Sequence, residues 1–409
     1  MRAAIIAIGN ELTAGLSTET NSRYLIEQLK YIGVNVDLIM IIGDTITSIT
    51  HALDHIESEV NLVFITGGLG PTHDDITKKA AVQYFDSPLE FNNDAFRQIK
   101  TLFDSKSLSL SDLNKQQAML PGKAIIIPNL IGTAQGMKFE KDGRLFFFMP
   151  GVPVELKKMF QDFIRHDINK LINQKISFEI IHTTGLPESE IFSKISHWID
   201  SHLELTVSLL PRFPIIDIAL SLNCDGNEHP SLSSYINEVS AILGNVIYGF
   251  GSDTLESVIA EMLTAEKLTI ATAESCTGGL IAHRLTNVPG SSNYFRQGAV
   301  CYSNQSKMDV LGVKENTLRK YGAVGPETAL EMASGIRKIA HTDIGLSTTG
   351  IAGPSGGSLQ KPVGTVFVGL SMNQTDEVYH FLYKWDRKSN KTYFAQMALN
   401  QLRLALKRE

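Results

Sequence analysis

Segment 273–279 reads AESCTGG and combines an acidic residue, two hydroxyl residues and a thiol with two glycines. Apolar runs on both sides predict a strand before it and a helix after it. Backbone N–H groups at such a strand-to-helix turn favour a phosphate or a developing oxyanion. Ser275 is therefore a candidate nucleophile, with Cys276 as its competitor. The alternative is that Ser275 or Thr277 only caps the helix, the usual role of these residue types there.

Segment 302–307 reads YSNQSK, follows a predicted strand over 298–301, and places Tyr302 close to Lys307 in sequence. We find no Ser-His-Asp set, because His283 lies eight residues beyond Ser275 on the same predicted helix. A Ser–Lys pair is the available arrangement for activating a serine. Lys307 would then have to be neutral, so its pKa must fall from about 10.4 through burial or a neighbouring positive charge. The alternative is a solvated surface lysine.

Segment 347–357 reads STTGIAGPSGG and is a second strand that runs into a glycine-rich loop. Successive backbone amides in such loops form nests that bind anions. Lys361 and Arg387 follow and can add positive charge, and the planar guanidinium of Arg387 suits bidentate binding of phosphate. One glycine-rich loop is weak support for a site, but several at strand ends within a hundred residues strengthen it.

The first 170 residues alternate between apolar strands and amphipathic helices. Such alternation predicts a parallel sheet that is covered on both faces. Ligands bind such sheets at the carboxyl ends of the strands, where the glycine-bearing loops 9–15 and 67–75 lie. The predicted strands are 3–9, 34–43 and 61–67, and the predicted helices are 20–32, 48–60 and 75–85.

The remaining chain divides into a small α+β module over 171–250 and a further unit over 251–409. The module has predicted helices 188–203 and 231–243 around a strand, 215–222, carries no recognisable chemistry, and is interpreted as a spacer or dimerisation element. The fold class is thus α/β, with two parallel-sheet α/β domains (1–170 and 251–409) joined by a small α+β domain (171–250). In the last unit we predict strands 268–273, 345–349 and 364–370 and helices 254–266, 280–286 and one from about 388.

The composition limits the classes of function. The net charge of −6 over 409 residues gives no basic footprint, so nucleic acid is not expected as a partner. The three cysteines, Cys224, Cys276 and Cys301, form no Cys-x-x-Cys pair and fit a reducing compartment. No apolar stretch approaches the roughly 20 residues that span a bilayer, and the first nine residues are too short for a signal peptide. We therefore expect a cytoplasmic protein with no membrane partner.

Four motifs together, AESCTGG (273–279), YSNQSK (302–307), TTGIAGPSGG (348–357) and KPVGTV (361–366), resemble the C-terminal domain of the CinA family. That domain, as the stand-alone PncC-type enzyme, is a nicotinamide mononucleotide amidase that needs no cofactor. The resemblance implies that Ser275 is the nucleophile and that Tyr302 and Lys307 activate it, with Thr349 and Arg387 at two further functional positions. The family's Gly-Asp-Arg run here reads Trp385-Asp386-Arg387. The substrate-binding residues implied are Glu274, Thr277, Gly278, Gly279, Gly350 and Gly353.

The N-terminal motifs GNELTAG (9–15), GGLGPTHDDIT (67–77), GTA (132–134) and MPGVP (149–153) resemble the other half of the same family. That half shares its fold with molybdopterin-binding MogA-like proteins and is similar to ADP-ribose pyrophosphatases that use a divalent cation such as Mg, Mn or Co. Asn10 and Gln135 depart from the Asp and Pro that many relatives carry. The implied substrate-binding residues are Glu11, Gly67, Gly68, Gly70 and Thr72, and the implied metal ligands are Asp74 and Asp75.

Each half of the prediction has an alternative. Asp74 and Asp75 can simply favour a helix start through the helix dipole. A different class of function is a non-enzymatic protein that binds a pterin or a nucleotide and acts in competence or DNA damage. The favoured prediction is an enzyme with small-molecule nucleotide substrates that deamidates nicotinamide mononucleotide, with a metal-dependent ADP-ribose pyrophosphatase in its N-terminal domain. The resemblance also implies a homodimer.

Overall fold

The computed structural model describes residues 1–70, 76–172, 175–224, 231–373 and 375–408. Thr72, Asp74 and Asp75, predicted to bind substrate and metal, lie outside the described residues. The chain divides into two compact units, Met1–Phe178 with Leu222–Ser231 and Glu179–Ser221 with Leu232–Glu409. The α/β class predicted from the sequence is confirmed. Within the described ranges, no helix is both long and apolar enough to span a membrane.

A six-stranded sheet in the order β2-β1-β3-β8-β7-β6 forms the centre of the first unit. Strands β2, β1 and β3, predicted at 34–43, 3–9 and 61–67, are parallel to one another and to β8, which was not predicted; β7 runs antiparallel to both of its neighbours, β8 and β6. The physical reason is the Asp142-Gly143 turn between β7 and β8, where both residues have positive φ and allow a tight hairpin. The strands of this unit are β1 (Arg2–Ile8), β2 (Asn35–Ile42), β3 (Leu62–Thr66), β4 (Leu89–Phe91), β5 (Met119–Pro121), β6 (Ile125–Ile127), β7 (Gly136–Lys141) and β8 (Arg144–Met149).

Helices cover both faces of this sheet because its central strands are apolar on both sides. Ile6 and Val63 belong to one core and Ile5 and Phe64 to the opposite one, and all four are fully buried. The predicted helix 48–60 is too long at its C-terminal end, since the chain leaves the helix after Asp54 to turn toward β3. The helices are α1 (Asn10–Thr13), α2 (Asn21–Tyr31), α3 (Ile46–Asp54), α4 (Thr77–Tyr84), α5 (Asn93–Ser105), α6 (Asp112–Gln116), α7 (Pro153–Met159) and α8 (Arg165–Asn169), with a π-helical turn over Phe160–Ile164 between the last two.

The middle of the chain forms a four-stranded sheet in the order β10-β11-β9-β12. The sequence analysis predicted β11 and missed the other three strands; of these, β12 has only four residues and β10 is largely solvent-facing with little apolar alternation. Its elements are β9 (Lys175–Thr183), α9 (Glu188–Asp200), β10 (Leu205–Arg212), β11 (Ile215–Cys224), α10 (Ser233–Leu243) and β12 (Ile247–Phe250).

The last part of the chain builds a five-stranded sheet in the order β14-β13-β15-β16-β17. β13 pairs in parallel with β14 and β15, so the predicted strands 268–273 and 345–349 are parallel neighbours, whereas β16, predicted at 364–370, pairs antiparallel with β15 and β17. Its strands are β13 (Ile270–Glu274), β14 (Phe295–Val300), β15 (Ile344–Gly350), β16 (Thr365–Ser371) and β17 (Asp376–Leu382). Its helices are α11 (Leu255–Ala265), α12 (Leu280–Thr286), α13 (Asn304–Leu311), α14 (Glu315–Tyr321), α15 (Pro326–Ala340) and α16 (Arg387–Leu406).

Helix α15 was not predicted, although its buried residues Ala329, Met332, Ala333 and Ile336 follow the i, i+3, i+4, i+7 spacing of an amphipathic helix. Gly335 lies on the same buried side, where a Cβ would stand 2.0 Å from the carbonyl oxygen of Leu311. The close packing that the glycine permits holds α15 against the end of α13, the helix that carries Lys307. A helix missing from the sequence prediction thus helps to position a predicted site residue.

Candidate active site

Ser275 and Lys307 meet at the carboxyl edge of the five-stranded sheet. Ser275 directly follows β13, and Lys307 lies in α13, the helix after the neighbouring strand β14. Parallel strands end at the same edge, so the two side chains are brought together across 32 residues of sequence. Lys307 Nζ lies 3.0 Å from Ser275 Oγ. The Ser–Lys arrangement expected from the sequence is therefore geometrically present.

The surroundings of Lys307 lower the pKa of its amine. The side chain is 1% exposed, which excludes the alternative of a solvated lysine, and burial disfavours the charged form. Its other contacts are backbone carbonyls, 2.9 Å to Cys301 O and 3.3 Å to Tyr302 O. Among the described residues no carboxylate pairs with it. A neutral amine can donate its two N–H groups to these carbonyls and accept the serine hydroxyl proton, and it is burial that favours this neutral form over the ammonium.

Cys276, the competing nucleophile, is poorly placed for reaction. Its thiol is 4% exposed and packs in a small apolar cluster with Ala352, Val366 and Phe394. Burial raises the pKa of this thiol to about 12. Because the thiolate is the reactive form, Cys276 is largely unreactive near neutral pH.

Glu274 anchors the start of α12, a role that the sequence did not indicate. It is buried, and its carboxylate accepts the backbone N–H groups of Gly279 at 2.9 Å, Ile281 at 3.1 Å and Ala282 at 2.8 Å. Both oxygens are thus used at the start of α12, the helix after the nucleophile turn. The contacts make Glu274 a positioning residue for this turn, which differs from the substrate-binding role predicted for it.

The rest of the turn separates into buried and accessible positions. Thr277 is fully buried, and its hydroxyl is 2.7 Å from that of Thr348 in the adjacent strand β15, so its side chain also holds the turn together. Gly278 and Gly279 have φ of +65° and +93°, conformations that favour glycine. Of the two, Gly278 is exposed and its backbone remains available to a ligand, whereas the N–H of Gly279 donates to Glu274.

Arg387 and Tyr302 form a second pair at the same edge. Arg387 is the first residue of α16; its Nη2 donates to Tyr302 Oη at 2.7 Å and its Nη1 to Gly353 O at 2.7 Å. Tyr302 therefore contributes its backbone carbonyl to Lys307 and its phenol to Arg387. The predicted Tyr302–Lys307 activating pair is present only through this carbonyl.

The glycine-rich loop after β15 is fixed by backbone packing. A Cβ on Gly350 would stand 2.6 Å from Thr365 O, and Gly353 has φ of +88°. Thr349, predicted to be catalytic, is buried and donates its hydroxyl to Ala323 O at 2.6 Å. Lys361, a candidate for anion binding, instead donates to the carbonyls of Tyr321 and Val324. Its ammonium therefore binds the C-terminal end of α14.

Two features of this unit were missed in the sequence. Lys391 lies one helical turn after Arg387 on α16, and its Nζ would stand 3.3 Å from a Cβ placed on Gly278. The i, i+4 spacing from Arg387 was the signal that could have revealed it. The second feature is a cavity of about 390 Å³ that is lined partly by the segment interpreted as a spacer and partly by the last part of the chain, with the rings of Phe213 and Tyr383 stacked at its wall.

The first unit has a cavity of about 470 Å³ at the carboxyl edge of its own sheet. A Cβ on Gly67 would stand 2.1 Å from Ile8 O, and one on Gly68 would stand 2.2 Å from Thr77 Oγ1, so only glycine fits this floor. The lining includes the predicted Glu11, Gly67, Gly68 and Gly70 together with two acidic residues that the sequence analysis missed, Asp44 and Glu155.

Carboxylate oxygens of this kind suit a hard divalent cation. Among the described residues, however, no three acidic, histidine or cysteine side chains gather closely enough to hold one. Glu155 is already engaged by Asn129 Nδ2 at 2.8 Å, and Asp44 accepts the backbone N–H of Asn10 at 2.9 Å. A cation here would need the predicted ligands Asp74 and Asp75, which the described residues do not include.

Comparison with known proteins places this architecture in a family. The family description "CinA C-terminal domain" matches residues 252–406, and "Probable molybdopterin binding domain" matches residues 4–170. A "CinA-like protein" of Kosmotoga olearia is 38% identical over 408 residues, which cover 99% of each chain. A relative from Clostridium tetani is also 38% identical, over 98% of this chain and 99% of its own. The chain therefore belongs to the CinA family.

Solved structures match over a smaller part of the chain. The crystal structure of the competence/damage inducible protein CihA from Agrobacterium tumefaciens is 40% identical and covers 37% of this chain and 93% of its own, with a TM-score of 0.36. The protein CinA of unknown function from Thermoplasma acidophilum is 27% identical, over 40% of this chain and 96% of its own, with a TM-score of 0.37.

Proposed function

We propose that the second unit hydrolyses the carboxamide of nicotinamide mononucleotide to nicotinate mononucleotide and ammonia. The observation that carries this proposal is the buried contact of 3.0 Å between Ser275 Oγ and Lys307 Nζ. A serine hydroxyl is a weak nucleophile until a neighbouring base accepts its proton, and a lysine with a lowered pKa can act as that base. The identity of the amide comes from the resemblance to the PncC-type amidases.

The chemistry runs in two halves through an acyl-enzyme. Ser275 Oγ attacks the carboxamide carbon while neutral Lys307 takes the hydroxyl proton. The tetrahedral intermediate collapses with cleavage of the C–N bond, and the Lys307 ammonium returns the proton so that ammonia leaves. Water then attacks the ester with Lys307 again as base. As this second intermediate collapses, the Lys307 ammonium returns its proton to Ser275 Oγ, and the acid product leaves as the carboxylate after losing its own proton to solvent.

The oxyanion of each intermediate needs donors close to Ser275. The N–H of Ser275 donates to Thr348 O at 3.0 Å, and the N–H of Gly279 donates to Glu274, so neither is free. The N–H of Cys276 makes no hydrogen bond to another residue within the described ranges, and Cys276 directly follows the nucleophile, the position that forms half of many oxyanion holes. We assign the oxyanion to this amide; the alternative donors, at Thr349-Gly350, lie where β15 is still paired with β16.

Ammonia release on mixing the purified protein with nicotinamide mononucleotide tests the proposal directly. We expect stoichiometric ammonia and nicotinate mononucleotide, and a covalent adduct of the corresponding acyl mass on Ser275 when the reaction is quenched early. The competing proposal, a non-enzymatic pterin- or nucleotide-binding protein of competence or DNA-damage responses, predicts binding without ammonia. No ammonia from a folded sample that binds the nucleotide would reject the amidase.

A second activity is proposed for the first unit because its cavity has a glycine floor and acidic walls. Backbone N–H groups of a glycine loop can approach a pyrophosphate closely, which suits ADP-ribose or another nucleoside diphosphate sugar. A divalent cation, held by Asp74 and Asp75, would neutralise the phosphates in this site. Glu11 is then left to contact the sugar side of the substrate. The expected homodimer and cytoplasmic location remain predictions from the sequence.

A further inference from the structure

Lys391 is a cationic side chain at the edge of the active site with no role in the chemistry above. It lies on α16 one turn after Arg387, and its half-buried side chain reaches Gly278 in the nucleophile turn. Within the part of the chain that the structure describes, Lys391 makes no ion pair and no side-chain hydrogen bond. Its three N–H donors are therefore free to bind a ligand.

The other cations near this edge are already engaged. Lys307 contacts Ser275 and two carbonyls, and Lys361 donates to the carbonyls of Tyr321 and Val324. Arg387 donates two of its N–H groups to Gly353 O and Tyr302 Oη. A lysine that is drawn toward a backbone turn without an acceptor leaves its charge uncompensated, and an anionic ligand is the natural complement.

Gly278 supplies the second half of the argument. It lies three residues after Ser275 with φ of +65°, and any side chain there would begin 3.3 Å from Lys391 Nζ and fill the space before the amine. Its backbone N–H has no partner within the described ranges. The Lys391 ammonium beside Gly278 and this amide N–H are both donors of the kind that binds a phosphate oxygen.

We propose that Lys391 and the Gly278 backbone form the subsite for a phosphate monoester of the substrate. This inference rests on the proposed amidase, because the subsite would give the amidase site its preference for a nucleotide over the corresponding nucleoside. When the carboxamide of the nucleotide lies against Ser275, the phosphate of the same molecule reaches Lys391. A riboside has no phosphate and leaves the Lys391 ammonium without an anionic partner. Arg387, one turn earlier, adds to the positive potential at this opening.

Binding and turnover together test the subsite. In the Ser275→Ala protein, calorimetry with nicotinamide mononucleotide, nicotinamide riboside and inorganic phosphate measures affinity without turnover. Adding Lys391→Met should weaken nucleotide binding about 10- to 100-fold, the range of one charge-assisted hydrogen bond, and leave riboside binding unchanged. Lys391→Arg should retain most of the nucleotide affinity. Lys388→Met removes an exposed cation from the same helix and is the matched control, with no change expected.

In the active enzyme, Lys391→Met should lower the ratio of kcat/KM for nucleotide to that for riboside by ten-fold or more. An unchanged ratio, or an equal loss of binding for both ligands, would overturn the subsite while leaving the amidase standing. Absence of ammonia from either substrate together with Lys391-dependent phosphate binding would instead reject the amidase and keep the anion subsite. Circular dichroism of each variant confirms that the fold is retained.

Discussion

Lys307 Nζ lies 3.0 Å from Ser275 Oγ and is otherwise surrounded by backbone carbonyls, with no carboxylate paired to it among the described residues. Burial lowers the pKa of this lysine below its ordinary value of 10.5. The amine therefore becomes neutral, and able to act as a base, at a lower pH than an exposed lysine would.

The first prediction follows for pH. kcat/KM should rise with pH along a single-proton limb whose midpoint lies below 10.5. Lys307→Arg should lose activity by about 10²- to 10⁴-fold and lose this limb, because a guanidinium does not deprotonate in this range. A pH profile of ammonia release checks both statements. An unaltered limb in the Lys307→Arg protein would show that another group acts as the base.

The same group also influences folding. Since the folded pKa lies below the unfolded one, the unfolded chain binds more protons between these two values. The contribution of Lys307 therefore destabilises the fold below its folded pKa and disappears as pH rises through that window. Lys307→Met should stabilise the fold at neutral pH and flatten this increase, as measured by urea unfolding at several pH values.

The second prediction separates the two candidate nucleophiles. Ser275→Ala should abolish ammonia release and the acyl adduct, whereas Cys276→Ala should retain activity because the buried thiol has a pKa of about 12. Quenched-flow mass spectrometry identifies the acylated residue. An inactive Cys276→Ala protein beside an active Ser275→Ala protein would reverse the assignment.

The third prediction concerns the 2.7 Å contact between Arg387 Nη2 and Tyr302 Oη. Arg387→Met and Tyr302→Phe should each lower kcat/KM by about ten-fold, and the double variant should lose far less than the product of the two effects. A double-mutant cycle on kcat/KM measures this coupling. Multiplicative losses would mean that the two side chains act independently on the substrate.

The fourth prediction concerns the buried carboxylate of Glu274. Glu274→Gln replaces one acceptor oxygen by an NH₂ group facing the N–H groups of α12, and should cost about 1–3 kcal/mol of unfolding free energy. Activity should fall with it, because the nucleophile turn loses its anchor. Glu266→Gln, at an exposed helix end, is the control and should change neither quantity. A stable but inactive Glu274→Gln protein would favour the direct substrate-binding role.

The fifth prediction concerns the first unit. Hydrolysis of ADP-ribose should require an added divalent cation, stop in EDTA, and fall sharply in Asp75→Asn and less in Asp74→Asn. Ammonia release from nicotinamide mononucleotide should continue in EDTA, which provides an internal control in the same sample. Pyrophosphatase activity that persists in EDTA would exclude the metal role of this pair.

The sequence by itself determined the α/β class and the main strands, because continuous apolar runs such as 3–8 and 62–65 have few alternatives to a buried parallel strand. It also indicated the Ser275–Lys307 pair, since both residues follow predicted parallel strands and no histidine was within reach. The Asp142-Gly143 hairpin signal was present in the sequence but was not used. Short or half-exposed strands such as β12 and β10 carried no usable pattern.

Only the tertiary structure decided which polar groups face a ligand and which face the protein. Thr349 and Lys361 look like binding residues in sequence, yet their polar atoms donate to backbone carbonyls 26 and 40 residues away. Lys391 looks like an ordinary surface lysine, yet the packing of α16 brings it to Gly278. The reason is physical: hydrogen-bond partners distant in sequence are chosen when the elements pack, and local pattern does not contain them.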